Sequence, residues 1–291
     1  MAGHDPWSGA LFGWADQPSW YDRLSSWLAP YLGRGAQRRL TKTPAEHLYL
    51  DDLGWLARLD DVLTEPVEAV TAALAADLAS ATLRVFHGSR VANAGVFHRD
   101  GLRRRDRAAL GDDIRDMLDR NPEFNWERAS IEERLDRAVA EKRDASRSYL
   151  GLDGRFLVEE CGHYLLYGSE WMQGVLGWSA QAMLLRTGVP TLIEIGLPLQ
   201  LAEHGGTNAV ADRLLHEWSR QQVARDGRSP LIDCTLTLDQ DIAGEAILSH
   251  SHPRRIFDPL HHVWRSNAYA DCPACKPKAP AETGDDGESD H

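Results

Sequence analysis

After residue 81 the apolar residues of this chain come in short runs, several of them stopped by a glycine or a proline. Thr82–Phe86 ends at His87-Gly88-Ser89, His163–Tyr167 at Gly168-Ser169, and Thr191–Leu197 at Pro198. Runs bounded by such breakers predict strands, here at 82–86, 155–158, 163–167, 191–197, 231–237 and 245–249. They follow one another without a helix in every interval. A doubly wound parallel sheet needs a crossover helix each time, so this order excludes it. An α+β fold with a split, mostly antiparallel sheet fits.

Before residue 80 the period is helical. Leu53, Leu56, Leu59 and Leu63 recur at three- and four-residue steps. Val67, Val70, Leu74 and Leu78 do the same behind Pro66, a residue suited to a first helical turn. Residues 1–42 are rich in Trp, Gly, Pro and Ser and predict an irregular arm or short helices. From about 106 to 149 the chain is strongly charged and predicts a helical insertion. In it, Ser130-Ile131-Glu132-Glu133 has a capping-box pattern and Ile131, Leu135 and Val139 share a face. Further helices are expected at about 170–186 and 208–225. The chain thus divides into a mostly helical N-terminal region (1–80), a domain over 81–265 and a tail (266–291). The tail mixes Pro, Gly, Asp and Glu and predicts disorder.

The net charge is −12, from 44 acidic and 32 basic residues. Chains that live by gripping phosphates carry the opposite sign, which argues against broad nucleic-acid binding. The cluster Arg99, Arg103, Arg104, Arg105 and Arg107 reads as a solvated face. Four cysteines in 291 residues make no disulfide scaffold. The first residues lack a basic start and apolar stretch, and no apolar run reaches the length of a membrane span. The expectation is a cytoplasmic protein with reduced thiols and no membrane partner.

The segment that carries chemistry is Phe86-His87-Gly88-Ser89-Arg90. A strand ends there in a polar ring and a glycine. Without a Cβ, Gly88 lets a flat ligand approach its backbone N–H and C=O. The His87 ring is placed to bond a sugar hydroxyl. Asn93, Gly95 and Gly101-Leu102-Arg103 follow. This stretch resembles the first motif of the ADP-ribosyltransferases of the diphtheria-toxin and poly(ADP-ribose)-polymerase type. In that family a strand ends in His-Gly-Ser or His-Gly-Thr and runs through a helix to Gly-Leu. Gly162-His163-Tyr164-Leu165-Leu166-Tyr167-Gly168-Ser169-Glu170 resembles the family's second motif, Gly-x-Tyr on a strand, then a turn and a helix.

The resemblance covers about residues 82–260 and implies the family's split sheet, with NAD as substrate. It implies that His87 bonds the adenosine ribose, Gly88 pairs with the nicotinamide carboxamide and Ser89 supports the site. Tyr164 would stack on the nicotinamide ring. Tyr167, three positions on, is its rival and points to the opposite face of a strand. The chemistry also needs a carboxylate, because breaking the glycosidic C–N bond builds positive charge on the ribose. Glu194 lies inside Thr191-Leu192-Ile193-Glu194-Ile195, and Glu245 opens Glu245-Ala246-Ile247-Leu248 after a polar loop. The family carries its glutamate at the start of a late strand, which favours Glu245. His87, Tyr164 and Glu245 then resemble its His-Tyr-Glu triad.

The implied activity is transfer of ADP-ribose from NAD to an unidentified macromolecular acceptor, protein or nucleic acid, with release of nicotinamide. The alternatives are NAD hydrolysis at the same site, RNA 2′-phosphotransfer on the same fold, and a non-catalytic module that binds NAD or ADP-ribose. The insertion is expected outside the sheet, bordering the cleft.

No metal is assigned. Cys272-Pro273-Ala274-Cys275, with His261 and His262 upstream, lacks a second thiol pair. His250-Ser251-His252 has the spacing of one strand face but reads as surface histidines. Whether Cys272 and Cys275 bind zinc stays open.

Overall fold

A computed structural model describes residues 6–42, 48–49, 54–104, 106–140, 147–203, 205–224, 227–267 and 272–275. Leu53 and Arg105 lie outside the described residues. The strands are β1 (Leu11–Gly13), β2 (Thr82–Val91), β3 (Ser148–Gly151), β4 (Val189–Pro198), β5 (Thr235–Leu238), β6 (Ile247–Ser251), β7 (Arg255–Asp258) and β8 (Val263–Ser266). The helices begin with α1 (Tyr21–Leu28), α2 (Ala36–Lys42), α3 (Gly54–Asp60), α4 (Val67–Leu78), α5 (Gly95–Asp100) and α6 (Arg107–Arg120). They continue with α7 (Arg128–Ala140), α8 (Gly154–Glu159), α9 (His163–Tyr167), α10 (Glu170–Leu176), α11 (Gln181–Leu184) and α12 (Gly206–Ala224).

The fold is α+β with a mostly antiparallel sheet. Its order is β5-β3-β2-β4-β6, with β1 parallel to the start of β2. β7 and β8 form a separate hairpin. β2 and β4 pair along their whole length, from Thr82–Pro198 to Val91–Val189. β2 and β3 share one registered pair, Phe86–Gly151. β4 occupies one edge of β2, and β1 and β3 share the other. Beyond Phe86 that second edge has no strand partner among the described residues, and the sheet opens there.

Alternation along the strands explains the layers. Leu83 and Val85 of β2 and Ile193, Ile195 and Leu197 of β4 face one core, which α4 and α12 cover. Leu192 packs instead at the margin of a second core, built from α6, α7, α9, α10 and α11 with Ile256.

Several expectations need correction. Residues 163–167 are not a strand but α9. Leu165, Leu166 and Tyr167 are buried in succession, which a strand with one buried face does not allow. Tertiary contact fixes the turn: a Cβ on Gly162 would stand 1.9 Å from the Phe257 carbonyl oxygen. Gly168, at φ 83°, ends the helix in a conformation that favours glycine. Residues 155–158 lie in α8, where the Asp153 carboxylate accepts the Arg155 backbone N–H at 2.9 Å and caps the first turn.

Among the described residues the insertion is helical in α6, α7 and a short turn, and Ser148–Gly151 is β3. It shares the second core with α9 through Ile114, Leu118, Ile131 and Leu135, so it is no detachable appendage. The region 1–80 packs into the first core. β1 joins the sheet, and Trp7, Trp14, Trp20 and Trp27 are buried in the first core. The strand expected at 231–237 begins only at Thr235, and the one expected at 245–249 begins at Ile247. In the segment taken as a disordered tail, Ser266 ends β8 and Pro273–Cys275 form a helical turn. Residues 268–271 and 276–291 lie outside the described residues.

Candidate functional site

The opening beside β2 starts at His87. Its Nδ1 lies 3.1 Å from the carbonyl oxygen of Tyr149 on β3. A carbonyl only accepts, so Nδ1 carries the proton and Nε2 keeps its lone pair. Burial pushes the His87 imidazolium below the ordinary histidine range, and the bond to Tyr149 opposes this only in part. A neutral ring with one free acceptor nitrogen suits a hydroxyl partner. Ser89, next but one, pairs across with Thr191.

Gly88 is where a side chain would meet Tyr164. A Cβ built on Gly88 stands 3.4 Å from the Tyr164 Cβ and 3.5 Å from Leu165 Cδ2. The structure therefore brings Gly88 and Tyr164 together, with Tyr164 delivered by α9 rather than by a strand. The Tyr164 hydroxyl donates to Glu170 Oε1 at 3.0 Å, and the His163 ring packs 4.1 Å from its own. Burial first, and then the Glu170 carboxylate, push the Tyr164 phenol well above its ordinary range. The Tyr149 phenol lies close enough to add to that shift, and its residue is 47% exposed. Tyr164 thus borders the open edge at Gly88, and Tyr149 lies on the neighbouring strand β3. Tyr149, His163 and Glu170 were not singled out by the sequence. Tyr149 was hidden in a segment read as helix.

Tyr167 has a different post. It is fully buried and its hydroxyl donates to Asp258 Oδ2 at 2.6 Å. Burial and the bond to Asp258 push the phenol up to about 12. Asp258 also takes Arg265 Nε at 2.6 Å and His261 Nδ1 at 2.9 Å. Burial opposes ionisation of Asp258, but these three donors together hold its carboxyl below the usual range. Tyr167 is therefore a core residue that ties α9 to the β7–β8 hairpin.

The two carboxylates differ in what holds them. Glu194 is half-buried on β4, opposite Phe86. Arg84 Nε lies 2.7 Å from its Oε1, and the Ser249 hydroxyl donates to its Oε2 at 2.5 Å. Glu245 stands exposed on the turn Gly244–Ala246 that leads into β6. It has no ion pair or hydrogen bond among the described residues. β4 lies between β6 and β2, and no contact joins Glu245 to His87, Gly88 or Tyr164 among those residues.

A second cluster can hold a metal. His250, His252, Cys272 and Cys275 place one ligand atom each within 4.8 Å of all the others. His261 and His262, paired with the thiols in the sequence reading, sit instead at the β7–β8 turn, where His261 faces Asp258. The arginine cluster beside α5 is partly engaged. Arg103 Nη1 lies 3.1 Å from Asp241, and Arg107 donates to the Ala138 carbonyl.

Compared with protein-family models, curated proteins and solved structures, the chain has no match. No helix among the described residues is long and apolar enough to cross a membrane.

Proposed function

We propose that this protein transfers ADP-ribose from NAD to a macromolecular acceptor and releases nicotinamide. The observation that carries this reading is the unpaired edge of β2 at His87–Gly88, with Tyr164 against Gly88 and Tyr149 beside His87. An unpaired strand edge at a glycine offers backbone N–H and C=O groups to a planar carboxamide. Tyrosine faces suit a flat heterocycle. The neutral His87, with Nε2 free, can accept from a ribose hydroxyl. In the reaction the bond between C1′ and the nicotinamide nitrogen breaks, and its electron pair leaves with nicotinamide. The acceptor nucleophile then bonds C1′ and gives up its proton to solvent. Glu245, a free carboxylate, is our candidate to stabilise the charge on the ribose.

Water as the acceptor would make the same site a hydrolase. The net charge of −12 disfavours an RNA substrate and with it 2′-phosphotransfer. The free thiols fit work in the cytoplasm. Incubation with NAD labelled in its adenylate moiety, with and without cell lysate, tests the reading. Label on macromolecules supports transfer, and free ADP-ribose alone reassigns the site to hydrolysis. Binding without turnover leaves a reader module, and no binding overturns the proposal.

A further inference from the structure

The HxH pair and the CxxC pair are separated along the chain, yet the fold brings them to one point. His250 lies on β6 and His252 one residue past its end, and their ligand atoms lie within 4.8 Å of each other. Cys272 and Cys275 bracket a helical turn in which the Cys275 N–H donates to the Cys272 carbonyl at 3.0 Å. That turn packs on the start of α5, where a Cβ on Gly95 would lie 3.5 Å from the Ala274 Cβ. Cys272 is buried and Cys275 exposed.

The histidines are oriented as metal ligands are. A carbonyl oxygen, that of Pro190, lies 2.8 Å from His252 Nδ1, so this nitrogen is the donor. Nε2 is then an unprotonated lone pair. It is buried and without a hydrogen bond, a costly arrangement if nothing binds there. His250 Nδ1 lies 2.8 Å from His98 Nε2, and its own Nε2 lies 3.1 Å from Cys275 Sγ. With the Nδ1 proton on His250 donated to His98, the second lone pair also points at the thiols. A partner fixing the far nitrogen of each ring is the usual support of a metal-bound imidazole.

We propose that His250, His252, Cys272 and Cys275 bind one zinc ion. Two imidazoles and two thiolates form a common tetrahedral zinc set. Bonds of about 2.3 Å to sulfur and about 2.0 Å to nitrogen put ligand atoms roughly 3.3–3.8 Å apart. The cluster spans no more than 4.8 Å, so modest side-chain rotation closes it. Each thiol releases its proton to solvent as its sulfur takes the metal. Four protein ligands leave no open position, so the ion is structural rather than catalytic. It would clamp the segment after β8 onto β6 and α5. β6 is an end strand of the sheet and, among the described residues, pairs with β4 alone.

The test begins with the full-length protein purified under reducing conditions without chelator. Its metal content should be one zinc per chain. Cobalt(II) added to demetallated protein should give the visible bands of a tetrahedral thiolate site. Cys272→Ser with Cys275→Ser should abolish both signals. His98→Phe, which removes only the support of His250, should weaken zinc binding about 10- to 100-fold. His261→Ala should leave the metal in place. Wild-type protein that takes up neither zinc nor cobalt overturns the proposal, whatever the variants do. So does stoichiometric zinc that survives the double cysteine change or disappears with His261→Ala.

Discussion

His87 turns its Nδ1 to the Tyr149 carbonyl, 3.1 Å away, at the point where β2 parts from β3. One ring thereby fixes the near end of the opening and keeps its other nitrogen free. The arrangement has a consequence for pH. Burial lowers the folded-state pKa of His87 below the unfolded value of about 6.5. A histidine held neutral contributes stability that is fully present above about pH 6.5 and is lost as pH falls through the folded pKa. Urea unfolding at several pH values between about 7.5 and 5 should show falling stability, with a shallower slope for His87→Gln. Equal slopes would mean that His87 titrates normally.

The two tyrosines of α9 should separate binding from stability. Tyr167→Phe deletes the 2.6 Å donor to buried Asp258 and should cost about 1–3 kcal/mol of stability, with little effect on NAD affinity. Tyr164→Ala removes an aromatic face beside Gly88 and should weaken NAD binding by about 1–3 kcal/mol, roughly 5- to 150-fold. Calorimetric titration with NAD, beside denaturant curves, reads both quantities. Loss of binding in Tyr167→Phe with normal binding in Tyr164→Ala would reverse the roles.

Deep in α12, the Glu217 carboxylate is fully buried, with Arg220 Nε at 2.7 Å and the Gln221 amide at 2.9 Å. The Arg220 guanidinium also donates to the Arg228 carbonyl at 2.7 Å. Glu217→Ala removes a buried carboxylate that pairs with Arg220 and accepts from Gln221, and should destabilise by about 3–5 kcal/mol. Glu217→Gln keeps an acceptor and should cost less. A denaturation midpoint for Glu217→Ala equal to wild type would show that water replaces the lost partner.

The parts of the fold that were readable are those whose burial follows a local period. Leu83 and Val85 on β2, and Ile193, Ile195 and Leu197 on β4, recur at every second position on the core face, and the sequence marks both strands. Val70, Leu74 and Leu78 mark α4 in the same way. His163–Tyr167 was misread because a short apolar run fits strand and helix alike, and the deciding contact, Phe257 against Gly162, lies far along the chain. β3 was missed because its pairing partners Thr235–Leu238 are equally remote. His87-Gly88 and Tyr164 were legible as residues. Tyr149 was not, since only the splay of β2 from β3 puts it there. The meeting of His250 and His252 with Cys272 and Cys275 depends on the chain returning past the β7–β8 hairpin, which spacing does not encode.

The sharpest prediction concerns the carboxylates. Glu194 is occupied by Arg84 and by the Ser249 hydroxyl, and it serves to join β2, β4 and β6. Glu245 stands free on the turn that opens β6. A carboxylate that reaches the reacting ribose favours the charged transition state more than it favours neutral substrate groups, so it acts on rate rather than affinity. Glu245→Gln keeps shape and an acceptor but removes the charge. NAD binding should stay within a few-fold of wild type, while the rate of nicotinamide release falls by about 10²–10³. Glu194→Gln should instead loosen the Arg84 pairing, with a modest loss of stability and a rate close to wild type. Single-turnover assays on both variants decide between them. If Glu194→Gln is the dead variant and Glu245→Gln turns over normally, the charge that stabilises the ribose comes from β4, and Arg84 becomes its positioning partner.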